Sequence, residues 1–371
     1  MAVRSKRASS KLLRWTTLRK TIQILALVAF LALFVASRRG GWPTSLVNAP
    51  MRLDPLTVLV HLLASRVFLT GSLLALFTVI LTLVFGRVWC GWLCPLGTIL
   101  DWVPFIRRRS TSKGLRPGAE PPEGWRRVKY GLLLVILFAA LFTNLTLLVF
   151  DPLTILFRTL STSVWPALDQ IITAAEVALY QGIPLPGWLQ SSLRNAVSTF
   201  DGWLRPVVLP LTPTFYRATL LYAGFFTGII LLNIFATSFW CRYLCPLGAL
   251  LGLLSKFAVI RRKVGPECKT CTLCTRACPT GTIWPDKEYA SDPSECIVCM
   301  DCLEDCPRQG ITFSPDLSLA KWNDYDPGRR QALVTLGVAI AGVALLRSNM
   351  FAEHDTPHLI RPPGARQNGL L

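Results

Sequence analysis

The sequence predicts a mainly α-helical protein, in which polytopic membrane helices form two parallel repeats and a small α+β domain follows them. Three observations predict this fold. The chain of 371 residues is 52% hydrophobic and has a mean hydropathy of +0.45, which is too apolar for an ordinary soluble protein. A nine-residue pattern with two cysteines occurs twice, each time after an apolar run. Eight further cysteines lie in two closely spaced runs between residues 268 and 306.

The charged residues also indicate a membrane protein. The formal net charge is +18, but lysine and arginine occur in blocks beside apolar runs, as in the cytoplasmic loops of membrane proteins. The block pattern therefore favours a membrane protein over one that binds nucleic acid. All twelve cysteines belong to the repeated motifs. This usage indicates metal or redox chemistry in a reducing compartment, and not a secreted disulfide framework.

The first membrane repeat is predicted at residues 21–128. It follows a basic N-terminus, residues 1–20, which has no acidic residue and which the positive-inside rule places in the cytoplasm. The apolar run Thr21–Ser37 would cross outward, and Val67–Gly86 would return across about 30 Å of hydrocarbon. A cleaved signal peptide is the alternative for the first run, and the lack of a small-x-small cleavage site disfavours it.

The second membrane repeat, residues 129–263, has the same order of parts. Gly131–Phe150 would cross outward and Ala218–Phe239 inward, with a longer outer insert between them. Asp151-Pro-Leu-Thr154 in this half matches Asp54-Pro-Leu-Thr57 in the first half, and both are expected at the outer side. Because both halves start on the same side, the repeat is parallel, with its axis along the membrane normal.

Each half ends in the pattern Trp-Cys-x3-Cys-Pro-Leu-Gly, which contains Cys90 and Cys94 in the first half and Cys241 and Cys245 in the second. The repeat would bring the two pairs to equivalent depths at the inner membrane face, so that four thiols converge. Three interpretations are open: a further redox or metal site shared by the pairs, dithiols that exchange with disulfides, or small buried side chains. The repetition of the whole pattern favours the redox or metal site.

The two C-terminal cysteine runs both have the spacing Cys-x2-Cys-x2-Cys-x3-Cys-Pro, which is that of bacterial ferredoxins with two [4Fe-4S] clusters. In such runs the fourth cysteine ligates the other cluster. The pattern predicts a small two-cluster ferredoxin domain at residues 264–320, and structural zinc or disulfides fit the spacing less well. The predicted ligands are Cys268, Cys271, Cys274 and Cys306 for one cluster, and Cys296, Cys299, Cys302 and Cys278 for the other.

The last predicted part, residues 321–371, contains a fifth apolar run, Gln331–Leu346, directly after Arg329-Arg330. The run is short for a membrane span and close in length to the apolar part of a signal peptide. The twin arginine resembles a twin-arginine export signal, and a membrane anchor with basic flanks is the alternative. In either case the tail that follows would lie on the outer side.

Histidine is scarce, and the chain contains only His61, His354 and His358. A transmembrane di-haem cytochrome needs axial ligands such as histidine pairs, so the sequence argues against one. His61 lies near the predicted outer interface, where it is either a solvated side chain or a proton acceptor for quinol. No residue stands out as catalytic.

The paired apolar runs that end in Cys-x3-Cys-Pro, followed by the double ferredoxin run, resemble the NapH/NosR/CcoG group of polyferredoxin membrane proteins. The resemblance covers roughly residues 20–320, and within the group the chain most resembles NapH. It implies an electron-transfer subunit of a quinol dehydrogenase, multi-pass in the inner membrane, with the ferredoxin domain in the cytoplasm. Membrane lipid and quinone would be its partners, quinol its substrate, and a periplasmic protein its electron acceptor.

The segment Leu359-Ile-Arg-Pro-Pro-Gly-Ala365, together with Arg329-Arg330, resembles the opening of an exported NapG-like ferredoxin. The resemblance thus implies a NapG-like periplasmic partner, fused or separate. Two other functions remain open within the same group. One is a metal-handling factor for oxidase assembly, in which the two cysteine pairs hold Cu(I), a thiolate-binding ion. The other is a membrane sensor or regulator of redox state.

Overall fold

A computed structural model describes residues 15–39, 42–67, 70–103, 123–181, 218–268 and 271–315, with isolated positions at 195, 197–199, 202 and 337. These parts are mainly helical. The predicted twin arginine, the C-terminal tail and nearly all of the fifth apolar run lie outside the described residues. The α-helices are α1 Trp15–Arg39, α2 Thr44–Val47, α3 Ala49–Arg52, α4 Pro55–Ser65, α5 Leu73–Phe85, α6 Pro95–Trp102, α7 Val128–Leu141, α8 Pro152–Thr159, α9 Trp165–Gln181, α10 Thr219–Leu232, α11 Pro246–Ser255, α12 Leu273–Ala277 and α13 Asp301–Glu304.

An apolar core joins the two halves of the helical part. Helix α7 packs against α4 on one side and α11 on the other. Leu56, Leu96, Leu133 and Leu247, from α4, α6, α7 and α11, are all buried in this core. The helices that carry the cysteine motifs are therefore held by contacts between the halves.

Among the described residues, one helix is long and apolar enough to cross a membrane, namely Trp15–Ser37 within α1. The predicted span at Gly131–Phe150 is interrupted, because α7 ends at Leu141 and Thr143 has a left-handed φ of 61°. A 3-10 turn at Thr146–Phe150 follows. This run is a broken helix and not the continuous span that was expected.

The predicted span at Ala218–Phe239 is also interrupted, and a side chain explains where. Helix α10 ends at Leu232, and the Asn233 amide that follows donates to the Leu100 carbonyl (2.8 Å) and accepts from the Phe239 N–H (3.2 Å). A polar side chain that bonds to the backbone in this way competes with helix continuation. Hydropathy does not detect such a break, because the residues on both sides are apolar.

The two Asp-Pro-Leu-Thr segments begin buried helices, and their expected position at the outer side stays a prediction. Asp54 caps α4 and Asp151 caps α8, each accepting from two backbone N–H groups of its helix. The proline after each aspartate fits the first helical position. Both aspartates are 0% exposed. Thr78, in the middle of α5, donates to the Leu53 carbonyl (2.7 Å), which connects this segment to α5.

The two Cys-x3-Cys-Pro motifs adopt the same local structure. A π-helical turn covers Trp89–Leu93 in the first half and Trp240–Leu244 in the second. Cys94 and Cys245 follow in an extended conformation and are the N-caps of α6 and α11. The first cysteine of each pair thus lies in the π turn and the second at a helix start. The two do not share a regular α-helical face.

The small C-terminal domain is built on one antiparallel strand pair. Strand β1, Ile260–Val264, precedes the cysteine runs, and strand β2, Ile311–Pro315, follows them. Val264 pairs with Ile311 and Ile260 with Pro315. The sheet therefore brings the two ends of the cysteine-rich segment together. With the short helices α12 and α13 this is an α+β arrangement.

A buried ion cluster joins this domain to both halves of the helical part. Glu295 accepts from Lys129 Nζ at 2.5 and 2.7 Å and pairs with Arg87 Nη1 at 3.4 Å. Arg87 also donates to the Ser294 carbonyl (2.9 Å). The three charged side chains are at most 4% exposed. Since Arg87 follows α5, Lys129 lies in α7 and Glu295 precedes Cys296, this cluster fixes three parts of the chain relative to one another.

We expect Glu295→Gln to destabilise the protein strongly, because it leaves two buried cations without their carboxylate. Removal of one partner from a buried ion pair costs about 3–5 kcal/mol. Thermal unfolding of the detergent-solubilised protein, followed by circular dichroism, measures the effect. Glu288→Gln, which changes an exposed glutamate of the same domain, is the control. Equal unfolding temperatures for the two variants would contradict the role assigned to the ion cluster.

Candidate redox centre

The eight C-terminal cysteines are arranged around two short helices that contact each other. Cys274 lies in α12 and Cys302 in α13. The residues before these helices, Thr272 and Met300, have left-handed φ values of 56° and 65°. The chain therefore turns sharply between the second and third cysteine of each run, as wrapping around a cluster requires.

The fourth cysteine of the first run lies beside the second run. Cys278 interacts electrostatically with Cys296, Cys299 and Cys302. This is the position that crossed ligation needs. The assignment of Cys278 to this cluster stays a prediction.

The other four cysteines also have a common neighbourhood. Cys274 interacts electrostatically with Cys268 and Cys271. Cys306 and Cys268 pack against the small core that contains Cys274. These contacts fit the predicted second ligand set, which likewise stays a prediction.

The two alternatives for these runs, structural zinc and disulfides, are disfavoured by the cysteine spacing. The structure has no disulfide among the described cysteines. Within the described part of the chain, no three His, Cys, Asp or Glu side chains are arranged to hold a single metal ion.

Burial changes the acidity of the thiols in the second run. It raises the pKa of the Cys296 thiol to about 12 and raises the pKa of the Cys299 thiol well above its usual range. Both thiols are therefore protonated at neutral pH when nothing binds them. Since metal ligation requires thiolates, loading with iron displaces these protons.

Arg262 on β1 lies among the thiols of both runs. It interacts electrostatically with Cys274, Cys296 and Cys302. Its Nη1 donates to the Tyr289 carbonyl (2.6 Å), while Nε and Nη2 are buried without a hydrogen-bond partner. These N–H groups suit the sulfur acceptors of a bound cluster, whose potential depends on such hydrogen bonds. In the sequence Arg262 is one of three adjacent basic residues, and no pattern distinguishes it.

The two Cys-x3-Cys-Pro motifs bring their thiols together. Cys245 interacts electrostatically with Cys241, Cys90 and Cys94, and Cys94 interacts with Cys241. The Gly248 N–H donates to Cys245 Sγ (3.2 Å), a contact of the kind that tunes metal–sulfur sites. These four thiols form the four-cysteine group.

Several buried N–H donors in or just before the two Cys-x3-Cys-Pro motifs have no acceptor. Trp89 Nε1 and Trp240 Nε1, which precede the first cysteine of each motif, are buried without a partner, and so is Arg87 Nε. Arg87 interacts electrostatically with Cys90 and Cys245. An unsatisfied buried donor costs about 1–3 kcal/mol. The donor set therefore fits a bound group with sulfur acceptors and negative charge, such as an iron–sulfur cluster.

The second ferredoxin run lies directly on the first Cys-x3-Cys-Pro motif. The Ile297 carbonyl approaches Gly91 so closely that a Cβ there would be 2.3 Å away, so only glycine fits. Trp92 Nε1 donates to the Val298 carbonyl (2.9 Å). A cavity between the two sites is lined by Cys90 and Cys241 on one side and by Thr280 and Ile297 on the other.

Helix α1 holds the same contact from another direction. Arg19 and Gln23 each donate to the Gly91 carbonyl (3.0 Å) and also donate to the Asp101 carboxylate. Arg19 further lies 3.6 Å from Asp301 of α13. In the sequence Arg19 indicates only a cytoplasmic N-terminus. Its partners are 72 or more positions away, so no local pattern reveals its buried position.

Comparison with known proteins connects this centre to a family. A family model described as a 4Fe-4S binding domain matches residues 67–113 and 218–267, which contain the two Cys-x3-Cys-Pro motifs. No solved structure is detectably similar to the chain. An uncharacterised protein of Methanocaldococcus jannaschii is 26% identical over 66% of this chain and 79% of its own length.

Two relatives carry informative names. The ferredoxin-type protein NapH of Escherichia coli is 26% identical over 82% of this chain and 78% of its own length. The regulatory protein NosR of Pseudomonas aeruginosa is 27% identical over 64% of this chain, which is 26% of NosR. With the double ferredoxin run and the four-cysteine group, these similarities relate the chain to the NapH/NosR-type polyferredoxins and support an iron–sulfur redox role.

Proposed function

We propose that the protein is an integral component of the inner membrane that passes electrons from quinol toward a periplasmic acceptor. The observation that carries this proposal is the contact between the four-cysteine group and the ferredoxin domain. Ile297, next to the predicted ligand Cys296, touches Gly91, next to Cys90. Two thiol-rich sites in such contact are suited to exchange electrons. An exported NapG-like ferredoxin is the expected acceptor.

The predicted ligands hold two [4Fe-4S] clusters in the ferredoxin domain, and the four-cysteine group holds a third redox or metal centre. When bound, such groups supply one-electron chemistry. The polypeptide itself supplies thiolate ligands, the cations Arg87 and Arg262, and burial, which together set potentials. Gly91 permits the close approach of the ferredoxin domain to the four-cysteine group, and Glu295 fixes the relative position of these two sites.

The outer surface of the helices supports several membrane passages. Large apolar side chains are exposed on α1, α5, α7 and α10, with exposures of 62% for Leu25, 56% for Phe77, 52% for Leu134 and 86% for Leu220. Apolar surface of this extent suits contact with lipid. Broken helices are tolerated in a membrane where the freed backbone groups are satisfied inside the protein, as Asn233 does here. The basic residues near the ferredoxin domain favour its cytoplasmic location.

The proposal predicts different effects for the two cysteine sets. We expect the variant C90S/C94S/C241S/C245S to keep the low-temperature EPR signals of the ferredoxin clusters after chemical reduction with dithionite. Reduction of these clusters by a soluble quinol analogue should be lost, because the variant lacks the electron path through the four-cysteine group. Stopped-flow absorbance measures the rate of reduction.

A reciprocal variant and a copper titration control this experiment. Cys271→Ser changes an exposed thiol of the ferredoxin runs and should remove ferredoxin signal but leave the four-cysteine group intact. Unchanged quinol reduction in the fourfold variant would contradict the proposed path. Loss of tight Cu(I) binding in that variant, with unchanged reduction by quinol, would favour the metal-handling function instead.

Arg262 should tune the ferredoxin clusters. Arg262→Gln removes a half-buried positive charge and the buried N–H donors Nε and Nη2, which face the thiols, so reduction becomes less favourable. We expect midpoint potentials to fall by about 60 mV, equivalent to ~1.4 kcal/mol for one electron. Lys263→Gln, the same charge change at the exposed neighbouring position, should shift them much less. Potentiometric titration followed by EPR makes the comparison, and equal shifts would refute a specific role for Arg262.

A further inference from the structure

Asp54 and Asp151 form a buried carboxyl pair at equivalent positions of the two halves. One oxygen of each carboxyl caps its own helix. Asp54 Oδ1 accepts from the Leu56 N–H (2.8 Å), and Asp151 Oδ2 accepts from the Thr154 N–H (3.0 Å). The other oxygens, Asp54 Oδ2 and Asp151 Oδ1, are buried and accept no backbone hydrogen bond, and the Thr57 and Thr154 hydroxyls lie beside the two carboxyl groups. The two carboxyl groups lie within hydrogen-bonding distance of each other.

This geometry determines how many protons the Asp54–Asp151 pair holds. Two ionised carboxylates cannot hydrogen-bond to each other, and two like charges this close repel strongly in a medium that excludes water. One proton shared between the free oxygens turns the repulsion into a hydrogen bond, and the pair then carries one negative charge. Helix capping does not require the second ionised carboxylate, because the capping oxygens are the ones that already accept from the backbone.

The pair acts electrostatically on the four-cysteine group, and the other charges of the surrounding helices have their own neighbours. Asp151 interacts electrostatically with Cys94. The other titratable or charged side chains on the packed helices have different neighbours or face solvent: Lys129 contacts Glu295, Asp101 contacts Arg19, Arg158 contacts Tyr222, Arg52 lies against Gly71, Tyr130 lies at Ser294, and His61 is exposed.

We propose that the Asp54–Asp151 pair is a proton-binding site that holds one shared proton and takes up a second when the four-cysteine group gains an electron. The electron adds one negative charge at the thiols, and the added proton converts the singly charged pair into two neutral carboxyl groups, so the net charge of the region does not change. The second half of this inference rests on the proposed redox role of the four-cysteine group. Ionisable residues inside membrane proteins commonly serve such proton sites.

Infrared difference spectroscopy of the full-length protein tests the shared proton. The wild type should show the C=O stretch of a protonated carboxyl that is protected from bulk water, with its small shift in D2O. D54N and D151N should each remove or displace this band. Asparagine also caps helices well, so both variants should fold. D286N, which changes an exposed carboxylate, should leave the band unchanged. Absence of the band in the wild type, or its persistence in D54N and D151N, would overturn the proposal.

Redox titration tests the linked proton. The signal of the four-cysteine group is the one lost in the fourfold cysteine variant, and dithionite supplies the electron. In the wild type its midpoint potential should fall by ~59 mV per pH unit, the value for one proton per electron. In D54N/D151N it should not depend on pH.

The two failures are distinguishable. A pH-independent potential in wild-type protein with a full iron content would overturn the proton linkage and leave the proposed electron transfer intact. Absence of any redox signal that depends on the four cysteines would refute their proposed role, and the linked proton with it. The infrared band would then still decide whether the shared proton exists.

Discussion

Glu295 is the carboxylate on which the relative position of the parts depends. It is buried with Lys129 and Arg87, and each of these cations comes from a different half of the helical part. Burial of three charges away from water costs desolvation free energy, which only close contact among the charges offsets. The ferredoxin domain therefore has one favourable position on the helices, in which Glu295 contacts both cations. Any displacement separates buried charges.

The contacts around Glu295 follow from this position of the ferredoxin domain. Ser294 lies against Gly252 and Ile297 against Gly91, at distances that exclude a side chain at either glycine. Ser255 donates to the Pro293 carbonyl (2.9 Å) and Thr237 to the Pro279 carbonyl (2.8 Å). Backbone carbonyls of the small domain are thus satisfied by the helical part. The interface buries polar groups only where each finds a partner, which favours a fixed distance between the two thiol-rich sites.

The sequence predicts the chemistry of this protein better than it predicts where the helices begin and end. Cysteine spacing is a local property, so the ferredoxin runs and the repeated Cys-x3-Cys-Pro motif are visible directly, and the structure brings both cysteine pairs together. Hydropathy finds the apolar runs but not their interruptions, because Asn233 ends a helix through bonds to residues distant in the chain. The repeat of Asp54 and Asp151 is visible in the sequence, whereas their role as helix caps, their burial and their mutual contact are seen only in the structure.

Arg262 and Arg19 show a second limit of sequence reasoning. Basic residues near apolar runs predict membrane orientation, and that explanation is sufficient until the structure shows Arg19 buried and Arg262 half-buried against cysteine-bearing segments. Arginine stays charged in such places. The residues from which the sequence predicts a cytoplasmic side thus also lie where they can offset the negative charge of thiolates.

The charges near the cysteines are of two kinds, and they affect an added electron differently. Arg87 and Arg262 are permanent cations, so they stabilise negative charge on nearby thiolates by an amount that does not change with pH, which sets a potential. The Asp54–Asp151 pair carries a charge that a proton can remove, so it couples a potential to pH. Under the proposed electron path, the four-cysteine group receives electrons from quinol, a donor that also releases protons, so proton linkage is useful at this site. The ferredoxin clusters exchange electrons with another thiol-rich site and need only fixed potentials.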